Sequence, residues 1–342
     1  MNFKINSGVG LGDNRECGRI AVSHVKRAIA ASLLTVFLIL QTISLCSCAS
    51  EGDSRPKIVT TTFVLCDWVK NVLGDEAENY SVEILGANGA DIHSYQPTVK
   101  DISLLSRCDA FVHIGGESDS WAEGALRSAN NADMTVIDLS QALGSKLCAE
   151  EHGHDHGDDE HEHSFDEHIW FSFELARASV EKIAESLGER FTDKRDVFSA
   201  NARSYCEEIT VLEGEYSALK TEDQADGGCV VVADRYPFAY LFDSIGIEAH
   251  AAFEGCSAES EASFEVIARL SAVIDERGLS RVLVCEDSDG RIADAVIRNT
   301  KSKDAQILTL NSLQSLGSDD AAAGKSYISV MRENLEVLKK AL

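Results

Sequence analysis

Half of the ten histidines in this chain lie within one short segment, residues 152–163. The segment also carries Asp, Glu and Gly and has no apolar side chain to bury, which predicts a solvated loop. Imidazole with nearby carboxylate is the ligand mixture that zinc prefers. Because the spacing is irregular and cysteine is absent, we expect a flexible chelator that gathers metal weakly rather than a closed structural site. Its candidate ligands are His152, His154, His156, His161 and His163.

Two further histidines stand in polar segments outside this loop. His93 lies in residues 89–98, between a predicted strand and a predicted helix, and His168 lies in residues 166–170. Taken singly, His93 is explained equally well as a turn residue bonded to a neighbouring carbonyl. His168 is explained equally well as a core histidine whose hydrogen bonds are satisfied.

The segments that must position these histidines alternate between short apolar runs and helical patterns. The predicted strands of the first half are residues 58–64, 82–85, 110–114 and 135–139, and the predicted helices are 68–73 and 99–105. Strands alternating with helices imply a parallel sheet with helices on its faces. Ligands of such sheets bind where the strands end.

The second half begins with a helical pattern and then repeats the alternation. One long amphipathic helix is predicted from an apolar seam with alternating spacings of four and three. The seam consists of Phe198, Ala202, Tyr205, Ile209, Leu212, Tyr216 and Leu219. Predicted strands follow at 229–233, 282–285 and 307–310, and predicted helices at 264–274, 292–297 and 327–342. The fold class is therefore α/β, with two domains joined by helix.

Together these segments resemble the metal-binding receptors of ABC importers for zinc and manganese. The resemblance starts near Lys57 and includes Asp91-Ile92-His93-Ser94-Tyr95-Gln96-Pro97, Gly115-Gly116-Glu117 with Trp121, the His-rich loop, and Asp166-Glu167-His168-Ile169-Trp170. It implies that His93 and His168 are metal ligands from the first domain. It also implies two parallel-sheet α/β domains bridged by a long helix. The His-rich loop is typical of the zinc-specific members of the family.

The second half departs from the family's ligand pattern. The resemblance implies a third ligand, His or Glu, where this chain has Arg235, and a fourth, usually Asp, where it has Asn311. A guanidinium cannot ligate a metal. We expect Glu286 and Asp234 to replace them, because both follow predicted strands whose ends face the cleft. The remaining candidates are Glu254, Glu259, Glu261 and Cys256.

The N-terminus predicts export and a lipid anchor. A basic flank precedes residues 28–45, an apolar run that ends in Leu45-Cys46-Ser47-Cys48. This is typical of a lipoprotein signal peptide, with Cys48 as the first mature residue and the acylated one. The alternative is a signal-anchor helix, since the run is nearly long enough to span a bilayer.

The predicted organisation assigns residues 1–48 to the signal peptide and 49–56 to a tether. The first α/β domain covers 57–173 with the loop 152–163, the linking helices cover 174–224, and the second α/β domain covers 225–342. With 57 acidic and 31 basic residues the chain has a net charge of -26, which argues against nucleic acid as a partner.

The resemblance implies an extracytoplasmic, membrane-anchored receptor that is not an enzyme. It would capture Zn²⁺, with Mn²⁺ as the other possible ion, and deliver it to an ABC permease and its ATPase. Two alternatives remain: a metal-binding adhesin or storage lipoprotein of the same fold, and a zinc hydrolase. The sequence lacks HExxH or a similar catalytic spacing, which disfavours the hydrolase.

Overall fold

The computed structural model describes residues 53–85, 93, 95–147, 165–219, 228–253, 255 and 261–342. Nearly all of them belong to one compact unit, Arg55–Leu342. The predicted anchor Cys48, the predicted loop 152–163 and the candidates Glu254, Glu259 and Cys256 lie outside the described residues. Within the described part, no helix has the length and apolar character needed to cross a membrane.

The first sheet is formed by four short parallel strands in the order β2-β1-β3-β4. The strands are β1 Lys57–Thr60, β2 Ser81–Ile84, β3 Ala110–His113 and β4 Thr135–Asp138. The chain runs from β1 to the neighbour on one side and then crosses to the neighbour on the other. The carboxyl ends of β1 and β3 therefore flank a topological switch point, where parallel sheets bind ligands.

The second sheet repeats this topology four strands later, in the order β6-β5-β7-β8, again with parallel pairs throughout. The strands are β5 Cys229–Val232, β6 Glu248–Ala251, β7 Arg281–Cys285 and β8 Gln306–Leu310. Its switch point lies between the carboxyl ends of β5 and β7. Glu286 follows the end of β7 directly, and Asp234 lies two residues after the end of β5.

The α-helices cover the sheets and join them. They are α1 Phe63–Leu73, α2 Val99–Leu105, α3 Ala122–Ala129, α4 Leu139–Leu143, α5 Phe173–Arg190, α6 Arg195–Ser217, α7 Ala239–Ile245, α8 Phe264–Arg277, α9 Arg291–Asn299, α10 Ser318–Ala322 and α11 Tyr327–Ala341. One continuous cluster of buried apolar side chains includes residues of both sheets and of the joining helices. The sheets are thus held by a shared core, which fixes the two sides of the cleft.

The long helix predicted from the apolar seam is α6, and its preceding partner is α5. Six seam residues, from Phe198 to Tyr216, are buried, whereas Leu219 lies beyond the helix end and is only partly buried. The α/β fold with two parallel sheets and a long linking helix is confirmed. The domain boundaries stay a prediction.

Two local predictions about the strands were wrong. The strand expected over residues 58–64 ends at Thr60, because the Thr62 side chain accepts a hydrogen bond from the backbone N–H of Leu65 and starts α1 there. The edge strand β6 was missed, since Glu248 and His250 interrupt its apolar pattern.

Candidate metal centre

His168 lies at the start of a buried segment that is anchored to the second half of the chain. A 3₁₀ turn follows it at Ile169–Phe171, and all three side chains of that turn are buried. The indole Nε1 of Trp170 donates to the carbonyl of Ser312 at 3.1 Å, and the Tyr327 hydroxyl donates to the carbonyl of Trp170 at 2.7 Å. Trp170 is thus held through both its side chain and its backbone. Because Trp170 lies only two residues after His168, the position of His168 is fixed as well.

Asp166 orients the imidazole of His168. The Nδ1 atom of His168 lies 2.6 Å from Oδ1 of Asp166, and the same oxygen accepts the backbone N–H of His168 at 2.9 Å. Tyr240, from the second half, donates its hydroxyl to the Asp166 carbonyl at 3.2 Å. A carboxylate on Nδ1 favours ligation of a metal through Nε2 and raises the basicity of the ring.

The structure brings His93 to His168. The two ring centroids are 5.4 Å apart, although His93 is exposed and His168 is only 2% exposed. The Nδ1 atom of His93 lies 2.7 Å from the Ser118 hydroxyl, and the backbone N–H of Ser118 donates to Oε1 of Glu167 at 2.9 Å. Each histidine thus has a polar partner on Nδ1. Glu167, which precedes His168 in the chain, also holds Ser118, the partner of His93.

A glycine turn makes this arrangement sterically possible. Gly115 and Gly116 follow strand β3 with φ of 90° and 81°, a region that residues with a Cβ rarely adopt. A Cβ on Gly116 would lie 2.3 Å from Oε1 of Glu167. The Gly-Gly pair recognised in the sequence therefore leaves room for the Glu167 carboxylate beside the histidines.

Buried ionisable groups lie at the glycine turn. Oδ2 of Asp119 accepts the backbone N–H groups of Ile114 and Gly115, at 2.9 and 3.0 Å. Burial nevertheless raises the pKa of Asp119 to about 7 and lowers the pKa of His113, whose Nδ1 is 3.8 Å from Oδ2 of Asp119. Among the described residues, buried Oε2 of Glu167 has no hydrogen-bond partner. Asp119, His113 and Glu167 are thus buried ionisable groups next to the glycine turn.

Glu286 occupies the switch point of the second sheet, as predicted, and is bound by the loop that follows β8. Its carboxylate accepts the backbone N–H of Ser312 at 2.7 Å, the Ser312 hydroxyl at 2.8 Å and the Ser315 hydroxyl at 2.9 Å. The carbonyl of Ser312 is the acceptor of Trp170. Glu286 and His168 are therefore linked through two residues, although they are far apart in sequence.

Asp234 also lies at a strand end, but its hydrogen bonds serve the sheet. Its two oxygens accept the backbone N–H groups of Arg235 at 2.8 Å and Cys285 at 3.2 Å. Asn311, at the place of the family's usual Asp, accepts the backbone N–H of Leu313 on its Oδ1 at 2.8 Å. The Asn311 side-chain oxygen thus stabilises a turn.

The histidine pair does not form a complete ligand cluster with other described residues. Among the described residues, neither His93 nor His168 belongs to a group of three His, Cys, Asp or Glu side chains whose ligand atoms all lie within 4.8 Å of one another. The assignment of Asp234 and Glu286 as ligands stays a prediction. The same holds for Glu261, which is described and exposed.

Sequence reasoning missed four residues that support the pair: Ser118, Glu167, Tyr240 and Ser312. Glu167 and Ser118 stand inside or beside the recognised motifs, so their position next to the site was a usable signal. Tyr240 and Ser312 act over distances of 74 and 142 residues in sequence. No local sequence pattern predicts such contacts.

Comparison with known proteins finds a matching family and several relatives. Residues 58–341 match the ZnuA family, zinc-uptake complex component A periplasmic. The zinc-binding lipoprotein AdcA of Streptococcus pneumoniae serotype 4 is 31% identical over 319 residues, which is 91% of this chain. The chain covers 60% of the length of that relative.

Two further proteins match over nearly their whole length. The high-affinity zinc uptake system protein ZnuA of Bacillus subtilis is 26% identical over 326 residues, covering 92% of this chain and 96% of the relative. The crystal structure of the Zn(II)-bound ZnuA-like domain of Streptococcus pneumoniae AdcA superposes with a TM-score of 0.66 at 26% identity. That alignment covers 84% of this chain and 99% of the domain.

Proposed function

Because the chain belongs to the family of zinc-uptake complex component A, we propose that it is an extracytoplasmic receptor that captures zinc and delivers it to an ABC permease and its ATPase. The observation that carries this proposal is the meeting of His93 and His168 with a ring-centroid distance of 5.4 Å. Both rings have an oxygen partner on Nδ1, which suits ligation through Nε2.

Zinc bound to two histidines needs two more donors to reach its usual tetrahedral coordination. Glu286 is the first candidate, since its loop is already joined to the His168 segment through Trp170. A carboxylate has about four acceptor positions, and three are used by Ser312 and Ser315, so one remains for a metal. Asp234, at the adjacent strand end, is the second candidate.

The electrostatics favour a divalent cation at this place. The Glu167 carboxylate has one buried oxygen without a hydrogen-bond partner in the described residues, and Asp119 lies behind it. A nearby Zn²⁺ would compensate buried negative charge that the protein alone leaves uncompensated. Zinc is released intact to the permease, so no bond of a substrate is broken and the chain is not an enzyme.

The proposal includes an anchor and an accessory loop. Acylation of Cys48 would hold the receptor at the membrane that contains its permease. The five histidines from His152 to His163 would raise the local zinc concentration and pass the ion to the pair formed by His93 and His168.

The test is a zinc titration against a competing chelator. The background is the full chain with the five loop histidines changed to Gln. His93→Ala and His168→Ala should each weaken zinc binding by at least ~10-fold, a loss of about 1.4 kcal/mol. The matched control is His113→Gln, a buried histidine at the end of strand β3, which should change the affinity much less. Unchanged affinity in both alanine variants would disprove the proposed site.

A further inference from the structure

Three side chains with metal-ligating atoms converge at the edge of the second sheet. The Cys229 thiol, the Glu248 carboxylate and the His250 imidazole offer ligand atoms that all lie within 4.8 Å of one another. Sheet geometry accounts for this convergence. Cys229 is the register partner of Glu248 in the parallel pair β5–β6, and Glu248 and His250 are two residues apart on β6. Register partners and alternate residues of a strand share one face of a sheet.

The distances fit a divalent cation after small side-chain adjustments. Bonds to zinc of about 2.0 Å for nitrogen and oxygen and about 2.3 Å for sulfur place tetrahedral ligand atoms roughly 3.3–3.8 Å apart. Nε2 of His250 and Oε1 of Glu248 are 3.0 Å apart. These two atoms share a proton in the metal-free protein, and a cation would replace that proton between them.

Arg277 supports the carboxylate from the other side. Its Nη2 atom donates to Oε2 of Glu248 at 2.8 Å, so Oε1 is held towards the imidazole. Ligating carboxylates commonly have such a hydrogen-bonded partner, which orients them. The guanidinium also offsets the negative charge that a thiolate and a carboxylate bring together.

The cluster is open to solvent and separate from the histidine pair. The side chains of His250 and Glu248 are 26% and 44% exposed, whereas Cys229 is buried at their base. Cys229 begins β5, and Asp234, five residues later, lies at the switch point. At about 3.3 Å per residue, the two ends of this segment are roughly 15 Å apart.

We propose that Cys229, Glu248 and His250 form a second metal site, which binds zinc or another thiophilic divalent cation with water in the fourth position. Thiolate, imidazole and carboxylate are ligands that zinc accepts together. Only three protein ligands bind the ion, so the affinity is lower than that of a closed four-ligand site. The site is independent of the proposed transport function, because it shares no residue with the histidine pair.

The experiment isolates this site in the full chain. His93 and His168 are changed to Ala and the five loop histidines to Gln. Cobalt(II) is then titrated, and thiolate-to-cobalt charge-transfer absorption is recorded together with stoichiometry by equilibrium dialysis. We expect one bound ion and a clear charge-transfer band. Zinc added afterwards should displace the cobalt and remove the band.

Variants identify the ligands. Cys229→Ser should remove the charge-transfer band, and His250→Gln and Glu248→Gln should each weaken cobalt binding by at least ~10-fold. The matched control is Cys206→Ser, another buried thiol, on helix α6, which should leave the band unchanged. His250 is partly exposed, so we expect His250→Gln to fold. This variant therefore still tests the proposed site if Cys229→Ser destabilises the protein.

Three outcomes would overturn the proposal. The first is a background chain that binds cobalt without a charge-transfer band or binds none. The second is a band that persists in folded Cys229→Ser. The third is unchanged affinity in both His250→Gln and Glu248→Gln, which would reduce the cluster to an ion-pair network of Glu248, His250 and Arg277.

Discussion

At the scale of single residues, Glu286 is the proposed third zinc ligand. Its carboxylate accepts three hydrogen bonds from Ser312 and Ser315, so it has a structural role whether or not zinc binds. A test must therefore separate loss of the carboxylate from loss of the loop. Glu286→Gln and Ser315→Ala provide this separation, because the first changes the donor atoms and the second removes one hydrogen bond only.

We predict that Glu286→Gln weakens zinc binding by at least ~10-fold, about 1.4 kcal/mol, because an amide oxygen is a much poorer zinc ligand than a carboxylate. Ser315→Ala should lower the free energy of unfolding by about 0.5–1.5 kcal/mol and leave zinc affinity nearly unchanged. Chelator-competition titrations and urea unfolding measure the two effects. Equal loss of affinity in both variants would show that loop position, and not the carboxylate, matters.

At the scale of elements, the turn from strand β3 into the Gly115–Gly116 pair holds the residues behind the histidines. Asp119 binds the backbone of this turn, and burial raises its pKa to about 7, against 3.8 for the unfolded chain. Between these values the folded protein binds more protons than the unfolded chain. The contribution of Asp119 to the free energy of unfolding therefore falls as the pH rises from 3.8 and is lost in full above about 7.

We predict that Asp119→Asn reduces this pH dependence. The amide oxygen still accepts from Ile114 and Gly115, but no charge is buried at neutral pH. The free energy of unfolding of the metal-free variant should exceed that of the parent at neutral pH by on the order of 2–4 kcal/mol, and the gain should shrink towards pH 4. Urea unfolding at several pH values measures it. Exposed Asp133→Asn is the control, and a parallel shift at all pH values would contradict the assignment.

The elements also show how far the sequence determines the site. Short apolar runs were sufficient to locate seven of the eight strands, because the two central strands of each parallel sheet are largely buried. The motif loops located His93 and His168. Two hydrogen bonds join the halves of the chain near the site, from Trp170 to Ser312 and from Tyr240 to Asp166. They depend on tertiary packing between distant segments and have no local sequence pattern.

At the scale of the whole molecule, the proposed function requires that the chain be held close to the membrane that contains the proposed permease. The predicted signal sequence ends in two cysteines, Cys46 and Cys48, and only the first mature residue can be acylated. The second compact unit begins at Arg55, a few residues after the proposed acylation site. In the proposed function, a short link to the lipid would raise the effective concentration of the chain at the permease.

We predict that Cys48→Ser releases the protein from membranes or leaves it unprocessed, because its thiol is the group that we propose to be acylated. Cys46→Ser should still be lipidated and stay with the membrane fraction, since it alters only the cleaved segment. Membrane fractionation with metabolic labelling by a fatty acid measures both outcomes. Cells with the released receptor should grow as the parent does in zinc-replete medium and more slowly when zinc is scarce. If Cys48→Ser is still labelled and membrane-bound, cleavage occurs at another residue, and if the parent chain itself is unlabelled and membrane-bound at full length, the apolar run acts as a signal anchor.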